Sequence, residues 1–438
     1  MNFQTSVEYL YSLGNEVTAM KLGLETTAKL LAALGSPEKK YLKVQVAGTN
    51  GKGSTCAFLD AICHSASIKT GLLTSPHLIS ITERIKINGE EISEIFFAKH
   101  ATTIRKISEM LIEKGELEAV PTFFEQMTAI AVSAFAEAKI ELAILETGLG
   151  GRFDSVTATQ AEIAAITPID FDHQQILGNT LTKIAREKAA IIREDTRVIV
   201  APQKREAEDV IDGKCREVYV TPIWANPNVK MIEDLGNGLN YLSLATPKNN
   251  YKVKFKMQGK HQWTNATLAI YIAENLRDYN FKIPKDSVEN GLEKAEHKGR
   301  LELWNKPDAS SILFDGAHNT AGANALKNYL DEFNEKPITM IFGAMGDKDA
   351  SEIAATLFPK AARLILTKPD NPRSFEPMEL IEFLPINYDV KNVFQTASVE
   401  EALKIAGEIS GLSDLICITG SLYLVGEAQK LLNNKFAI

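Results

Sequence analysis

The feature that most constrains the fold of this chain is a glycine-rich loop between an apolar segment and a helical pattern, within residues 42–66. The loop contains three glycines and one lysine: Gly48, Gly51, Gly53 and Lys52. Glycines let backbone N–H groups close on phosphate oxygens, and the lysine and the N-terminus of the following helix add positive charge. The sequence therefore predicts a strand–loop–helix unit that binds a polyphosphate.

The spacing of this loop departs from the common P-loop pattern, G-x4-G-K-[ST]. Val46 stands where that pattern has its first glycine, and Gly53 stands where it has a serine or threonine after the lysine. From the loop alone, a chance cluster of glycines and a distinct P-loop subtype are both open.

Length and composition indicate a two-domain globular enzyme. A chain of 438 residues is too long for one ordinary core, and 45% apolar and 24% charged residues are usual values for an enzyme. The net charge of −8 argues against a nucleic-acid-binding protein. The sequence shows no secretory signal and no apolar run that could span a bilayer, so we expect a cytoplasmic protein. The four cysteines form no CxxC pair and are expected to be buried free thiols.

Apolar strand patterns alternate with helical patterns in the first half of the chain, which predicts a mainly parallel sheet covered by helices. Between Tyr219 and Met257 short alternating stretches indicate a small antiparallel element. The predicted strands are 42–46, 69–74, 141–146, 161–167 and 197–201, and the predicted helices are 54–66, 93–114, 123–138, 182–193, 263–277 and 285–296.

The polar segment 296–300 contains one glycine and is predicted to be a linker, which divides the chain into domains 1–296 and 297–438. After it the alternation resumes, with predicted strands at 311–315, 338–342, 362–367, 389–394 and 415–419. Ligands of open parallel sheets bind beyond the carboxyl ends of the strands. The polar motifs of this chain follow such strand ends, so we expect them to cluster.

Two strand ends in the first domain carry candidate metal ligands. Ser75 follows the second predicted strand, and Glu146 ends an apolar strand and precedes a glycine-rich run. A carboxylate at this place in a P-loop domain can bind Mg²⁺ or orient water on it, although a hydrogen-bonded acid at a strand end is the alternative. His173, next to Asp170 and Asp172, suggests a second Mg²⁺ site, but imidazole is an unusual ligand for that ion.

Other candidates are weaker by spacing alone. Lys188 lies in an amphipathic helical pattern, which favours a surface lysine. Asn265 lies near the start of a helix and can be an ordinary cap. Asp315 ends a strand before Gly316, which allows close approach of a ligand to the backbone. Arg300 lies in the predicted linker, where it can reach a ligand of either domain.

Taken together, these motifs resemble those of the folylpolyglutamate synthase and dihydrofolate synthase family, ATP-dependent amide ligases related to the Mur ligases of cell-wall synthesis. The resemblance covers nearly the whole chain, and the loop of that family has the Gly-Lys-Gly-Ser spacing seen here. The motifs that carry it are 48–54, 75–78, 83–85, 88–89, 122–125, 146–154, 172–173, 177–178, 187–189, 261–262, 265–266, 299–302, 315–319 and 420–421.

The resemblance implies an α/β fold with an N-terminal P-loop NTPase-like domain, the central domain of Mur ligases, and a C-terminal Rossmann-like α/β domain. It implies a reaction in which ATP converts the carboxylate of dihydropteroate or of a folyl-glutamate to an acyl phosphate, which the α-amine of L-glutamate then displaces. The implied partners are these small molecules and two Mg²⁺ ions, with no nucleic acid, no membrane and a monomeric state.

The resemblance also implies roles for single residues. The expected ATP contacts are Asn50, Gly51, Lys52, Gly53, Ser54, Asn265, Arg300 and Asp315. Ser75 and Glu146 are expected to hold the first Mg²⁺ and His173 the second. The expected catalytic residues are Lys52, His318 and Lys188, the last as a carbamylated lysine. The expected substrate contacts are Thr122, Phe123, Phe124, Glu125, Arg152, Phe153, Asp154 and Ser155 for the pterin or folate, and Ser421 for glutamate.

Residues 153–157 depart from the family pattern. The family usually has Leu-Asp-Ala-Thr-Asn where this chain has Phe-Asp-Ser-Val-Thr. The change touches the expected folate pocket, so the sequence defines the pterin substrate less well than it defines ATP use.

Two other functions stay open at this point. A Mur-type ligase for a nucleotide-sugar substrate would share the ATP site, but the segment before the loop is too short for a UDP-sugar domain. A P-loop regulatory or carrier protein would bind nucleotide without ligase chemistry, and the Arg300 and Asp315 motifs of the second domain argue against it.

Overall fold

The computed structural model describes residues 1–14, 23–236, 238–305, 310–346 and 350–436 of the chain. Its strands are β1 Leu42–Ala47, β2 Thr70–Leu73, β3 Ile85–Ile87, β4 Glu90–Glu91, β5 Leu142–Glu146, β6 Ile163–Ile166, β7 Arg197–Val200, β8 Ile223–Trp224, β9 Val229–Gly236, β10 Leu239–Ala245, β11 Asn250–Phe255, β12 Glu302–Trp304, β13 Ser311–Asp315, β14 Ile338–Phe342, β15 Arg363–Leu366, β16 Val393–Gln395 and β17 Leu415–Thr419. Its helices are α1 Phe3–Ser12, α2 Glu25–Ala33, α3 Lys52–Ser65, α4 Glu94–Glu113, α5 Phe123–Ala138, α6 Gln174–Leu177, α7 Leu181–Ala189, α8 Arg205–Glu217, α9 His261–Leu276, α10 Lys285–Lys294, α11 Thr320–Phe333, α12 Ala350–Leu357, α13 Pro377–Leu380, α14 Val399–Ile409 and α15 Leu422–Phe436.

The strands form three sheets. An eight-stranded sheet has the order β4-β3-β2-β5-β1-β6-β7-β8 and is parallel from β2 to β8. A six-stranded sheet has the order β12-β13-β17-β14-β15-β16 and is parallel except for β12. The third sheet, β11-β10-β9, is antiparallel. The expected α/β fold and the small antiparallel element are therefore confirmed, whereas the domain division at residues 296 and 297 stays a prediction.

Helices cover both faces of the eight-stranded sheet because its central strands are apolar on both sides. Val44 and Ile144 are fully buried in one cluster with Phe58 of α3. Helix α10 lies so close to α3 that a Cβ at Gly291 would come within 2.4 Å of the Cα of Ile62. This close packing fixes α3, the helix that follows the glycine-rich loop.

Several predicted element boundaries shift in the structure. Helix α3 begins at Lys52 rather than Ser54, because Gly51 takes a left-handed conformation and serves as its N-cap. Helix α7 ends at Ala189, four residues before the predicted end at Arg193. The predicted strand 389–394 begins only at Val393, since Asp389 caps a short 3-10 helix, Val390–Asn392. The sequence patterns did not predict helices α1, α2, α6 and α8 or the hairpin β3–β4.

The carboxyl ends of the central strands in both large sheets carry the polar motifs. The glycine-rich loop follows β1, Ser75 follows β2, and Glu146 is the last residue of β5. In the other sheet Asp315 ends β13, and Ser421 follows β17. Among helices in the described part of the chain, none combines the length and apolar character needed to cross a bilayer.

Candidate active site

The polar strand ends of the two large sheets line one cleft with a volume of about 400 Å³. Both halves of the chain contribute, so residues far apart in sequence face the same space. The predicted site residues that line it are Asn50, Gly51, Lys52, Gly53, Ser54, Ser75, Phe124, Glu146, His173, Lys188, Asn265, Arg300, Asp315, His318 and Ser421.

The glycine-rich loop has no room for side chains at its tightest point. Gly51 has φ +87°, and a Cβ there would lie 2.1 Å from Oδ1 of Asn265 on α9. Lys52 Nζ donates hydrogen bonds to the carbonyl oxygens of Gly48 at 3.3 Å and Thr49 at 3.0 Å. The loop therefore holds an ammonium group beside the N-terminus of α3, an arrangement suited to an anionic ligand.

Lys188 is not a surface residue, so the interpretation favoured by its spacing alone was wrong. Its side chain is 4% exposed, and Nζ donates a 2.6 Å hydrogen bond to the carbonyl oxygen of Gly48. Helix α7 thus places a second amine against the glycine-rich loop, residues 48–54, which we call the phosphate loop.

Glu146 and Asp315 are buried acids that end strands of different sheets and line the same cleft. One Glu146 oxygen, Oε2, accepts a hydrogen bond from the backbone N–H of Ser75 at 2.9 Å. Burial raises the pKa of the Glu146 carboxyl, and the positive charge of Lys52 opposes that rise. Burial likewise raises the pKa of Asp315, which Arg300 and the backbone N–H groups of Leu301 and Ala317 counteract.

Asp172 joins the two halves of the site. Its Oδ1 accepts from the backbone N–H of His173 at 2.8 Å, and its Oδ2 lies 3.7 Å from Nε2 of His318 and 3.2 Å from Nδ2 of Asn319. His318 Nδ1 lies 2.8 Å from the carbonyl oxygen of Gly316. Because a carbonyl only accepts, Nδ1 carries the proton, and Nε2 of a neutral His318 is the acceptor nitrogen.

His297, from the predicted linker, packs onto the loop. Its Nδ1 lies 3.2 Å from Oγ of Ser54, and a Cβ at Gly53 would come within 2.5 Å of its Cε1. Burial, and then the charge of Arg300, lower the pKa of His297 to about 3, so the imidazole is neutral at physiological pH.

Part of the predicted folate set lies beside the cleft rather than in it. Thr122 and Glu125 form a capping box at the start of α5, and Phe123 is buried against Tyr11 with ring centroids 5.8 Å apart. Asp154 accepts from the backbone N–H groups of Gly148, Leu149 and Val156.

Three more residues of that set also lie outside the lining of the cleft. The Oγ atom of Ser155 lies 2.6 Å from Oγ1 of Thr128. Arg152 forms an ion pair with Glu187, with Nε 3.0 Å from Oε1. Phe153 is 39% exposed. Of the eight residues predicted for folate, only Phe124 lines the cleft. Their substrate role stays a prediction.

The cleft has lining residues to which the sequence assigned no role. Arg373 follows β15 and Tyr423 follows β17, with the guanidinium NH2 donating to the phenol oxygen at 3.1 Å. Both come after carboxyl ends of parallel strands, which is the positional signal that could have found them. Asp172, Gln262 and His297 belong to sequence motifs described above, and the structure adds them to the lining of the cleft.

Comparison with known proteins identifies the family. The Mur ligase middle domain matches residues 46–273, and the Mur ligase glutamate ligase domain matches residues 299–422. A dihydrofolate synthase/folylpolyglutamate synthase from Bacillus subtilis is 35% identical over 422 residues, which are 94% of this chain and 95% of that protein. The chain belongs to the dihydrofolate synthase/folylpolyglutamate synthase family of Mur ligases.

Solved structures of this family share the fold along the whole chain. Folylpolyglutamate synthase from Mycobacterium tuberculosis, solved in complex with ADP and AMPPCP, superposes with a TM-score of 0.88 at 28% identity and covers 98% of this chain and 99% of its own. Folylpolyglutamate synthase from Thermotoga maritima superposes with a TM-score of 0.84 at 30% identity, and the match covers 99% of this chain and 97% of that one. The family resemblance inferred from the motifs is confirmed.

Proposed function

We propose that this chain is an ATP-dependent ligase that joins L-glutamate to the carboxylate of dihydropteroate, of a folyl-glutamate, or of both. One observation carries the proposal: a single cleft joins the phosphate loop, with Lys52 and Glu146, to Arg300, Asp315 and His318 of the other sheet. A ligase of this kind must bind ATP, a carboxylic acid and an amine next to one another. A cleft lined by residues of both large sheets can hold these three groups together.

The proposed first step is attack of a substrate carboxylate oxygen on the γ-phosphorus of ATP, which forms an acyl phosphate and releases ADP. Nucleophile and γ-phosphate are both anionic, so positive charge must offset their repulsion. Lys52 and the N-terminus of α3 supply such charge at the loop, and Arg300 adds a further positive charge to the lining of the same cleft.

In the proposed second step, the α-amine of glutamate attacks the acyl carbon, the bond to the phosphate oxygen breaks, and inorganic phosphate leaves. The amine must lose a proton as the amide forms. His318 lines the cleft, and its acceptor nitrogen, Nε2, lies 3.7 Å from Oδ2 of Asp172, a carboxylate that would stabilise the protonated imidazole. We therefore assign His318 as the base for this proton.

The residues around Glu146 fit a divalent cation. The carboxylate of Glu146 and the hydroxyl of Ser75 are hard oxygen donors that line the cleft beside the phosphate loop. Within the described residues no group of three or more His, Cys, Asp or Glu side chains could hold a metal by itself. That suits Mg²⁺, which commonly takes one or two protein oxygens and completes its shell with water and substrate phosphates. The ion would supply charge stabilisation at the phosphates; the second ion at His173 and the carbamate on Lys188 are further parts of the proposal.

Relatives support the substrate classes. The Mycobacterium tuberculosis enzyme was solved with ADP and AMPPCP, an Escherichia coli relative with ADP and the ligand abbreviated DHPP, and a bifunctional relative with Mn, AMPPNP and L-glutamate. A monomeric enzyme in the cytoplasm remains our expectation for this chain.

The deciding experiment measures ADP release with dihydropteroate or tetrahydrofolate as acceptor, each with and without L-glutamate, and detects the amide product by mass spectrometry. We expect amide formation and glutamate-dependent ADP release with at least one acceptor. ADP release that ignores both acceptor and glutamate would contradict the proposal, and the pattern of acceptors defines the substrate.

A further inference from the structure

Two asparagines from opposite halves of the chain form a reciprocal pair of amide hydrogen bonds. Asn319 Nδ2 donates to Asn50 Oδ1 at 3.0 Å, and Asn50 Nδ2 donates to Asn319 Oδ1 at 3.3 Å. The two residues are 269 positions apart, and Asn319 is only 5% exposed. The pair directly links the phosphate loop to the start of α11.

The surroundings of Asn319 fix which way its amide points. Its Oδ1 also accepts from the backbone N–H of Gly322 at 2.8 Å, as the N-cap of α11. Its Nδ2 also donates to Oδ2 of Asp172 at 3.2 Å. An inverted amide would put an N–H₂ group against an N–H and an oxygen against a carboxylate, so both contacts require the orientation seen.

Asn319 therefore contacts two of the loops that surround the reacting groups, and it adjoins a third. Asn50 belongs to the phosphate loop, Asp172 precedes His173, and Asn319 itself follows His318. Asp172 Oδ2, which accepts from Asn319, is also the oxygen nearest Nε2 of His318. A shift of Asn319 would move His318 relative to the loop that holds the nucleotide.

We propose that Asn319 is a positioning residue. It holds the part of the site that carries His318 in a fixed position relative to the phosphate loop, so that glutamate rather than water attacks the acyl phosphate. This inference rests on the proposed ligase function. If the two halves separate, water can attack the acyl carbon, the bond to the phosphate oxygen breaks, and the products are the original carboxylate and inorganic phosphate. ATP is then consumed without amide formation.

The test is the ratio of ADP released to amide formed. Asn319→Ser keeps a side-chain oxygen for the α11 cap but removes the amide Nδ2 group that donates to both Asn50 and Asp172. Asn324→Ser is the matched control, because Asn324 lies on the same helix, is exposed, and donates a local hydrogen bond to the Thr320 carbonyl oxygen. We expect a ratio of one for the wild type and the control. For Asn319→Ser we expect amide formation to fall by about tenfold, the effect of losing one or two hydrogen bonds, with a ratio clearly above one.

A second variant and a binding measurement separate positioning from folding. Asn319→Asp retains the cap oxygen but sets a carboxylate against Asp172, so its ratio should exceed that of Asn319→Ser. The affinity for ADP, measured by calorimetry without acceptor, should stay close to wild type in Asn319→Ser.

Three outcomes would overturn the inference. A ratio of one in Asn319→Ser with wild-type amide formation would refute this inference and leave the proposed function standing. A parallel loss of ADP release, amide formation and melting temperature would show a purely structural role. A wild-type chain without glutamate-dependent ADP release would overturn the proposed function first, and this inference with it.

Discussion

Lys188 and Gly48 lie 140 residues apart in the chain, yet Nζ of Lys188 donates a 2.6 Å hydrogen bond to the carbonyl oxygen of Gly48. The same carbonyl accepts from Lys52 at 3.3 Å. Two amines therefore meet at the backbone of the phosphate loop. An amine in this buried position can support the loop as an ammonium group or, after reaction with CO₂, present a carbamate to a metal ion.

Lys188→Ala should lower ligase activity by about 100-fold or more, because the site loses a charged group fixed beside the phosphates. The measurement is glutamate-dependent ADP release, with melting temperature recorded alongside. Lys183→Ala on the same helix is the control, since that side chain is exposed, and it should keep near-normal activity. Carbamylation would appear in native mass spectrometry with bicarbonate as one added CO₂ on the intact wild-type protein that is missing from Lys188→Ala. An unmodified lysine with full activity would exclude it.

Gly51→Ala should weaken nucleotide binding by about tenfold or more, because a left-handed backbone disfavours a Cβ and this Cβ would meet Asn265 at 2.1 Å. Isothermal calorimetry with ADP measures the affinity. Gly213→Ala is the matched control: Gly213 lies in α8 with nothing within 4 Å of its added Cβ. That variant should bind ADP normally and gain about 0.5–1 kcal/mol in stability from its higher helix propensity. Equal ADP affinity in both variants would contradict the assigned loop geometry.

Glu146→Gln should raise the Mg²⁺ concentration needed for half-maximal activity by more than about tenfold, since an amide oxygen is a weaker ligand than a carboxylate. A magnesium titration of ADP release is the measurement, with the exposed Glu113→Gln as control. An unchanged magnesium requirement would remove Glu146 from the metal site.

His77 should make the protein less stable in acid. Its Nδ1 accepts from Nε of Arg84 at 2.8 Å, and burial, followed by the charge of Arg84, lowers the pKa of His77 from 6.5 to about 3. The unfolded chain gains this proton as pH falls below 6.5 but the folded chain does not, so this contribution to stability is complete above pH 6.5 and is lost progressively down to about pH 3.

Chemical denaturation at pH 7 and pH 5 measures this effect. His77 should account for about 2 kcal/mol of the decrease in the free energy of unfolding between pH 7 and pH 5. His77→Gln can keep an acceptor for Arg84 without titrating, so its loss should be smaller by that amount. An identical loss in the wild type and in His77→Gln would refute the assignment.

Local sequence patterns predicted several strands and the phosphate loop. The capping box at the start of α5 was also present as a local pattern but was not predicted. The strands 42–46 and 141–146 and the loop between β1 and α3 could be predicted because their periodicity and glycines are local signals. The sequence Thr122-Phe-Phe-Glu125 is also a local signal, that of a capping box, and explains the buried Glu125 without a ligand. Its assignment to the folate site came from the family resemblance and stays a prediction.

The sequence by itself determined the α/β fold, the phosphate loop and the family, since these depend on periodicity and on motifs a few residues long. Only the tertiary structure decided that Lys188 is buried against Gly48, that Asn50 pairs with Asn319, and that Arg373 and Tyr423 enter the cleft. The physical reason is distance along the chain. These contacts join residues brought together by parallel strand order and by the packing of one sheet's loops on the other's, which no local pattern encodes.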